Sequence, residues 1–308
     1  MDELIFKNNK YFDNNFDNFL SYNSSNFLKA RKYIGICNNY NYKKIMVYGT
    51  RAINLINSVS STTLDDAKNK SCYTLIMNKK KLISEVLILK LSALRYLVVY
   101  ENGKNLYKFL NKVKRKFPLV TVNDVTNKYS IFSFHGENSN NFFEKLSSQN
   151  LYKTVRQGYT HYQLIVNKKN ESSVMTYFKN LSFIPINLET KSIFLYNNSV
   201  ITNLNNIKKR WKNYVLDILY KSNKIAFIKK ENPWDIKQFE LQENVLAFKN
   251  SYVYSSRYKK AGVIHCSYKV PNKKYPYIIC FVSKKRIGKT AIFKHNKKEI
   301  LLKQFINY

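Results

Sequence analysis

The chain has 308 residues, of which 44% are hydrophobic and 15% aromatic, and this composition excludes a disordered polar tail and predicts a globular protein with a sizeable core. Lysine and arginine number 53 against 19 aspartate and glutamate residues, so the formal net charge is +34 and the chain would attract anions such as nucleic acid. No apolar run approaches the roughly 18 residues of a membrane span, and the four cysteines lack the spacing of a metal site.

The positive charge has two interpretations that the sequence leaves open. Lysines are spread over the whole length together with abundant Asn, Tyr and Ile, which are residues with A- and T-rich codons, so compositional drift explains the charge without a partner. A nucleic-acid-binding protein would instead concentrate its cations on one face. The first residues, MDELIFKNNK, have no apolar core of a signal peptide, and we expect a cytoplasmic or organelle-matrix protein with no membrane association.

The N-terminal third carries the clearest secondary-structure signals. Residues 1–22 are predicted as a loose lead-in before a helix over Phe27–Tyr33. Between Lys44 and Tyr100, short apolar runs alternate with polar turns, and one run has helical spacing. This stretch is predicted to form a strand, a helix and three further strands, over Ile45–Tyr48, Arg51–Ser58, Ser71–Met77, Ile83–Leu91 and Arg95–Tyr100.

The middle of the chain mixes helices and strands. A basic amphipathic helix is predicted over Lys104–Phe117, and the run Val155–Val166 is predicted to enter a strand. The other predicted elements are strands over Leu119–Asn123 and Tyr129–Phe134, a helix through Phe142, Phe143 and Leu146, and a helix over Ser173–Asn180.

The C-terminal part has strand periodicity throughout. The segment Glu231–Gln242, which contains Pro233, is predicted as the boundary between two domains, 1–230 and 231–308. Beyond it, strands are predicted over Val245–Phe248, Ser251–Ser255, Gly262–Lys269, Tyr277–Ser283, Thr290–Phe293 and Glu299–Lys303. Short strands at this spacing with lysine-rich turns favour a small barrel or sandwich. The predicted fold class is α+β, with mostly antiparallel sheets followed by a small C-terminal β-barrel.

The order of these motifs resembles the glycine cleavage T protein family, the tetrahydrofolate-dependent aminomethyltransferases. The matching pieces include a strand that ends at Gly49, the adjacent residues Tyr73 and Thr74 in a predicted strand, the motif Arg156-x-Gly158-Tyr159-Thr160 and the adjacent residues Leu188 and Glu189. Each motif is weak alone, and their order along nearly the whole chain carries the match. The resemblance implies a folate-binding aminomethyltransferase-like domain over 1–230 and a β-barrel after it.

The resemblance also implies a catalytic acid. Ser84 and Glu85 occupy the place of the family's paired aspartates, one of which orients the reacting folate nitrogen and manages its proton. A carboxylate suits that role because it holds an N–H or cationic group by a charge-assisted hydrogen bond. We therefore name Glu85 and Ser84 as the candidate catalytic residues. The alternative is that Glu85 is a surface carboxylate on a strand edge.

Five residues are the implied cofactor-binding set for tetrahydrofolate. Arg156, Tyr159 and Glu189 match the family pattern, whereas Tyr100 stands near the family's pterin-reading asparagine and Gln163 near its pterin-binding glutamate. An amide at position 163 still accepts and donates hydrogen bonds.

Two functions from different classes follow from this pattern. The first is a divergent tetrahydrofolate-binding protein that transfers an aminomethyl or methyl group, as an aminomethyltransferase or a demethylase. Its partners would be folate and a small amine, a methyl donor or a carrier protein. The second is a non-catalytic basic scaffold or RNA-associated protein that reuses the fold, because several family site positions are changed and the net charge is +34. The sequence leaves open whether the site is still catalytic.

Overall fold

A computed structural model describes residues 25–64, 70–79, 81–101, 105–144, 150–198, 200–201, 204, 207, 209–220, 232–245, 247, 250–270, 272–287, 290–295 and 298–304. The predicted lead-in 1–22 and the predicted domain boundary at 230 lie outside these residues. The described part forms two five-stranded sheets and a closed six-stranded barrel. Within it, no helix is both long and apolar enough to cross a membrane.

The first sheet has the strand order β3–β4–β5–β2–β6 and is antiparallel throughout. Two amphipathic helices, α2 and α3, pack their apolar sides against one face of this sheet. The opposite face is free to pack against the second sheet. The elements are β2 (Lys43–Tyr48), α2 (Ala52–Val59), β3 (Ser71–Asn78), β4 (Lys81–Ser92), β5 (Arg95–Tyr100), α3 (Leu106–Lys114) and β6 (Thr121–Asp124).

The second sheet has the order β10–β1–β7–β9–β8, and its one parallel pair is β1 with β10. Its outer face is covered by aromatic side chains from α4 and α5. The elements are α1 (25–32), β1 (Gly35–Asn38), β7 (Tyr129–His135), α4 (Ser139–Phe143), β8 (Leu151–Arg156), β9 (Tyr159–Asn167), a 3-10 turn (Lys168–Asn170), α5 (Glu171–Asn180) and β10 (Ile184–Ile186).

The two sheets pack face to face. Leu87, Leu89 and Leu97 of the first sheet form one apolar cluster with Ile131 and Ile165 of the second. Because side chains alternate along a strand, Glu85 lies on the same face of β4 as Leu87. Every second residue of β7, β8 and β9 likewise points into the layer between the sheets, and this layer contains the candidate site.

The barrel has the strand order β11–β14–β13–β12–β15–β16, and its interior is a filled apolar core that includes Phe239 and Phe293. Helices α6 and α7 precede it in the chain. One cluster joins residues of α1, α6 and α7 to Ile279 and Phe281 of the barrel. The elements are α6 (Leu188–Asn197), α7 (Lys209–Leu219), β11 (Trp234–Leu241), β12 (Tyr252–Ser255), β13 (Lys260–Tyr268), β14 (Tyr277–Ser283), β15 (Thr290–His295) and β16 (Lys298–Gln304).

The predicted fold class is confirmed: the sheets are mostly antiparallel and a barrel ends the chain. One local prediction was wrong, because Val245 and Ala247 of the predicted strand Val245–Phe248 are not in a strand. The first barrel strand, β11, lies inside the segment Glu231–Gln242 that the sequence predicted as a boundary. The run Val155–Val166 enters strand β9 as predicted, after the turn of the hairpin β8–β9.

Candidate functional site

The centre of the site is a buried ion pair between Glu85 on β4 and Arg156 at the end of β8. Arg156 Nε donates to Glu85 Oε1 at 3.1 Å and Nη2 donates to Oε2 at 2.5 Å, which is a bidentate pairing. The two side chains are only 11% and 7% exposed. Burial acts to lower the pKa of Arg156, but the Glu85 carboxylate and the neighbouring tyrosines outweigh it and hold this pKa well above its usual value.

Glu85 has further donors besides Arg156. The hydroxyl of Tyr220, which follows α7, donates to Glu85 Oε1, and Gln157 Nε2 lies 3.5 Å from the same oxygen. Two hydrogen bonds to the Ile201 backbone hold the Gln157 side chain in place. The Ile201 N–H donates to Gln157 Oε1 at 2.6 Å, and Gln157 Nε2 donates to the Ile201 carbonyl at 2.9 Å. Both carboxylate oxygens of Glu85 are therefore engaged. Glu85 is not a surface carboxylate, so the structure contradicts that alternative.

A stack of aromatic rings lies beside the ion pair. The rings of His135, His161 and Tyr159 are nearly parallel, with interplanar angles of 9° to 11° and centroid distances between 5.4 and 6.1 Å. The Tyr73 ring packs under Arg156, with the guanidinium carbon 5.3 Å from its centroid. Stacking with this cation stabilises the guanidinium in a buried position.

The two histidines are neutral because they are buried. Burial, together with nearby Arg156 and Lys191, lowers the pKa of His161 to about 3, although its contact with the Tyr159 backbone acts in the opposite direction. Burial, with His161 and Lys191 nearby, also lowers the pKa of His135 well below its usual value. Neither ring is a proton acceptor near neutral pH in this environment.

Hydrogen bonds connect His135 to its neighbours on both sides. Ser133 Oγ lies 2.9 Å from His135 Nε2 and 3.5 Å from Asn39 Oδ1, and the Tyr159 hydroxyl lies 3.1 Å from His135 Nδ1. The Ser133 hydroxyl donates its one hydrogen to Asn39 and therefore accepts from His135 Nε2–H. In this tautomer of the neutral ring, Nδ1 is an acceptor, so the Tyr159 hydroxyl donates to it. The Tyr159 hydroxyl is thus held in one orientation.

Gln163 on β9 does not use all of its hydrogen-bonding capacity among the described residues. It is fully buried, and its Nε2 lies 3.0 Å from the Tyr73 hydroxyl and 3.1 Å from His161 Nε2. Its Oε1 has no hydrogen-bond partner among the described residues. A buried amide oxygen without a donor costs free energy, and Oε1 can accept a hydrogen bond from a donor that enters the layer between the sheets.

A second buried cation lies nearby. Lys191 on α6 is 4% exposed and donates to Asn39 Oδ1 at 2.8 Å and to the Tyr42 hydroxyl at 3.2 Å. Its ammonium also lies 4.6 Å from the centroid of the Tyr42 ring. Within the described residues, no carboxylate forms an ion pair with Lys191. With Arg156 and Glu85 it gives the interior of the layer a net positive charge.

We use the name polar centre for the group that these contacts join: Glu85, Arg156, Tyr73, His135, Tyr159, His161, Gln163 and Tyr220. Four residues predicted from the sequence are brought together in it, namely Glu85, Arg156, Tyr159 and Gln163. His161 was not among the predicted site residues, but it is 3% exposed and belongs to the polar centre. Tyr73 was part of a motif matched to the family but was not predicted as a site residue, and His135 and Tyr220 were not singled out in the sequence.

Three predicted site residues lie elsewhere. Ser84 is fully buried on the opposite side of β4, where its hydroxyl donates to the Glu85 carbonyl at 2.9 Å. Tyr100 belongs to the cluster under α2 and α3, on the far face of the first sheet. Glu189 is half-buried in the first turn of α6. The N-cap of this helix is Asn187, whose Oδ1 accepts from the Thr190 N–H at 2.8 Å. The described residues give Glu189 no hydrogen bond to the polar centre.

Comparisons with known proteins agree with this architecture. The family model described as the GCVT N-terminal domain matches residues 4–183. The structure is similar to that of the glycine cleavage system aminomethyltransferase T from Bartonella henselae, with a TM-score of 0.71 and 14% identity over 92% of this chain and 88% of that chain. The heterotetrameric sarcosine oxidase from Corynebacterium sp. U-96 matches with a TM-score of 0.34 and 9% identity, over 50% and 87% of the two chains. No curated protein matches this sequence significantly.

The family match spans more than half of the 308 residues, and the structural similarity extends over both sheets and the barrel. The family resemblance inferred from the sequence motifs is thereby confirmed. The chain belongs to the GCVT N-terminal domain family and has the fold of the folate-binding aminomethyltransferases.

Proposed function

We propose that this chain is a divergent tetrahydrofolate-binding protein that transfers a one-carbon group, aminomethyl or methyl, to tetrahydrofolate from a small amine, a methyl donor or a carrier protein. One observation carries the proposal. Glu85, at the position of the family's acid, lies between the sheets and is oriented by Arg156 among aromatic hydrogen-bonding groups.

The residues of the polar centre fit a pterin in chemical type. A pterin ring is flat and presents N–H donors along one edge. The unpartnered Gln163 Oε1 is a buried acceptor for such a donor, and the rings of Tyr159 and His161 are planar neighbours. Aromatic walls with a few placed polar groups are usual for cofactor sites. We therefore assign Gln163, Tyr159 and Arg156 to the binding of the folate ring.

When bound, tetrahydrofolate supplies a ring nitrogen that accepts the one-carbon unit. In this chain, Arg156 holds Glu85 as an oriented carboxylate, and the Tyr220 hydroxyl occupies its Oε1. Glu85 can hold a proton or a substrate N–H there only when the Tyr220 hydroxyl moves away. Tyr159, held by His135, keeps its position beside the ion pair. In this proposal, proton transfer needs the Tyr220 hydroxyl to move away from Glu85, whereas the Glu85–Arg156 ion pair stays in place.

Calorimetric titration with tetrahydrofolate under reducing conditions tests the binding part. We expect heat and a thermal shift, because a ligand at 100 times its Kd adds about 2.7 kcal/mol to the free energy of unfolding. Tyr159→Phe, which removes a hydroxyl at the polar centre, should weaken binding. The matched control is Tyr100→Phe, which removes a hydroxyl from the far face of the first sheet and should bind normally. No heat and no shift at millimolar ligand would refute the proposal.

Transfer of a labelled one-carbon unit from candidate amine and methyl donors tests the catalytic part. Glu85→Gln keeps the size of the side chain and removes its charge, so turnover should fall by roughly 100-fold or more if Glu85 handles the proton. Circular dichroism must show that the variant is folded at the assay temperature. If folded Glu85→Gln is as active as the original chain, Glu85 has no catalytic role, even if tetrahydrofolate binds.

A further inference from the structure

A groove of about 420 Å³ opens where the first sheet meets the start of β7, and none of its lining residues belongs to the polar centre. Two cations, two tyrosines, an amide and two apolar side chains line it: Arg95, Lys128, Tyr48, Tyr129, Asn123, Met46 and Val125. Its volume is in the usual range for sites that take a small molecule or one unit of a polymer.

The charge of the groove is positive. Arg95 and Lys128 are exposed, and neither forms an ion pair with a carboxylate in the part of the chain that the structure describes. The nearest acidic residue in the sequence, Asp124, uses its Oδ1 to accept the Thr126 N–H at 2.9 Å. Among the residues that the structure describes, no carboxylate lines the groove itself. Two unpaired cations in a concave surface attract an anion, because the field is stronger there than on a convex surface.

The tyrosines supply flat surface beside these cations. Tyr48 on β2 pairs directly with Arg95 on β5, so the phenol and the guanidinium are neighbours on one face of the sheet. Tyr48 is 37% exposed and Tyr129 is partly exposed. Exposed aromatic rings next to cations are typical of surfaces on which nucleic-acid bases stack while phosphates contact Lys and Arg.

The positive surface continues beyond the groove. The Lys168 N–H donates to the Lys128 carbonyl at 3.0 Å, which brings the 3-10 turn Lys168–Asn170 beside the groove. Lys168 is paired with Glu171, whereas Lys169 is exposed and has no carboxylate partner among the described residues. A ligand that contacts Arg95, Lys128 and Lys169 in succession has several phosphates in a row rather than one.

We propose that this groove binds single-stranded RNA, with a base against Tyr48 and Tyr129 and phosphates on Arg95, Lys128 and Lys169. The proposal is independent of folate binding, because the two sites share no residue. It assigns a ligand to three of the 53 lysine and arginine residues.

Fluorescence anisotropy with a fluorescein-labelled 12-nucleotide poly-U RNA tests the proposal on the full chain at several salt concentrations. Each phosphate contact contributes about 0.7 to the slope of log affinity against log salt for single strands. The double variant Arg95→Gln/Lys128→Gln should therefore bind more weakly and reduce the slope by about 1.4. Tyr48→Ser should weaken binding by roughly fivefold or more through lost stacking.

The matched control is Lys273→Gln/Lys274→Gln, which removes the same charge from an exposed loop between β13 and β14. If this control weakens RNA binding as much as the groove variant, the attraction is diffuse and the proposal is wrong. Absence of binding at low salt also overturns it. The proposal is also wrong if the groove variants lose affinity for uridine monophosphate but keep full affinity for RNA, because the groove would then be a site for free nucleotides. Thermal melting of each variant separates loss of a contact from loss of the fold.

Discussion

Replacement of Glu85 by glutamine removes the only carboxylate that pairs with Arg156 among the described residues. Because the two side chains are 11% and 7% exposed, solvent screens their attraction little. Coulomb's law gives about 4 kcal/mol for unit charges 4 Å apart at an effective dielectric constant of 20. Removal of one partner from a buried pair typically costs about 3–5 kcal/mol, since the other charge remains buried. We therefore expect Glu85→Gln to lower the free energy of unfolding by about 3–5 kcal/mol.

Urea denaturation followed by circular dichroism measures this change. The control is the exposed pair between Arg31 and Glu137, whose Nε and Oε1 atoms lie 2.9 Å apart and whose side chains are 47% and 68% exposed. The same chemical change, Glu137→Gln, should cost less than about 1 kcal/mol, because surface ion pairs contribute little. The contrast between the two glutamate variants isolates the effect of burial from the effect of charge.

A double variant completes the test. Glu85→Gln/Arg156→Leu removes both charges, so it should be clearly more stable than Glu85→Gln alone, because no unpaired ion remains in the interior. This comparison also covers the case in which the single variant does not fold. The reasoning is refuted if Glu85→Gln costs no more than Glu137→Gln, or if the double variant is less stable than the single variant.

The remaining predictions concern pH, thiols and a turn. His161 and His135 have pKa values in the folded chain that lie below their unfolded value near 6.5, so the unfolded state binds the extra protons as the pH falls. The free energy of unfolding should then decrease below pH 6.5, by about 2 kcal/mol at pH 5 for His161, with a further decrease from His135. Urea titrations that give the same value at pH 7 and pH 5 would contradict this. In labelling with a thiol-reactive disulfide, Cys72 should react slowly in the native state and the other three cysteines only on unfolding, because they are buried; fast reaction of several thiols would count against the structure. Gly136 has a φ of +119° and an added Cβ would lie 2.3 Å from a backbone oxygen of α1, so Gly136→Ala should cost roughly 2 kcal/mol or more in thermal or urea unfolding. Gly158→Ala, at a φ of +88° with no atom within 4 Å of the added Cβ, is the control and should cost about 1 kcal/mol. Equal costs at the two glycines would show that the close contact at Gly136 is absent.

Much of the fold follows from local sequence patterns. The strands Arg95–Tyr100 and Tyr277–Ser283 have the predicted bounds, because each is an apolar run limited by turn residues. The order of motifs was sufficient to indicate the family and the α+β class, since a family match depends on residues in sequence and not on their contacts. Glu85 and Arg156 were also named from this order.

The pairing of those two residues was decided by the tertiary structure alone. Glu85 and Arg156 are 71 positions apart, and they meet only because β4 and β8 belong to different sheets that face each other. Lys191 meets Tyr42 across 149 positions, and Tyr220 meets Glu85 across 135. Tyr100 and Ser84 went to the other side of their sheet because side chains alternate along a strand, so a shift of one residue selects the opposite face. Sequence periodicity reports which face of an element is apolar, whereas the packing of the two sheets determines which polar side chains on the inner faces come into contact.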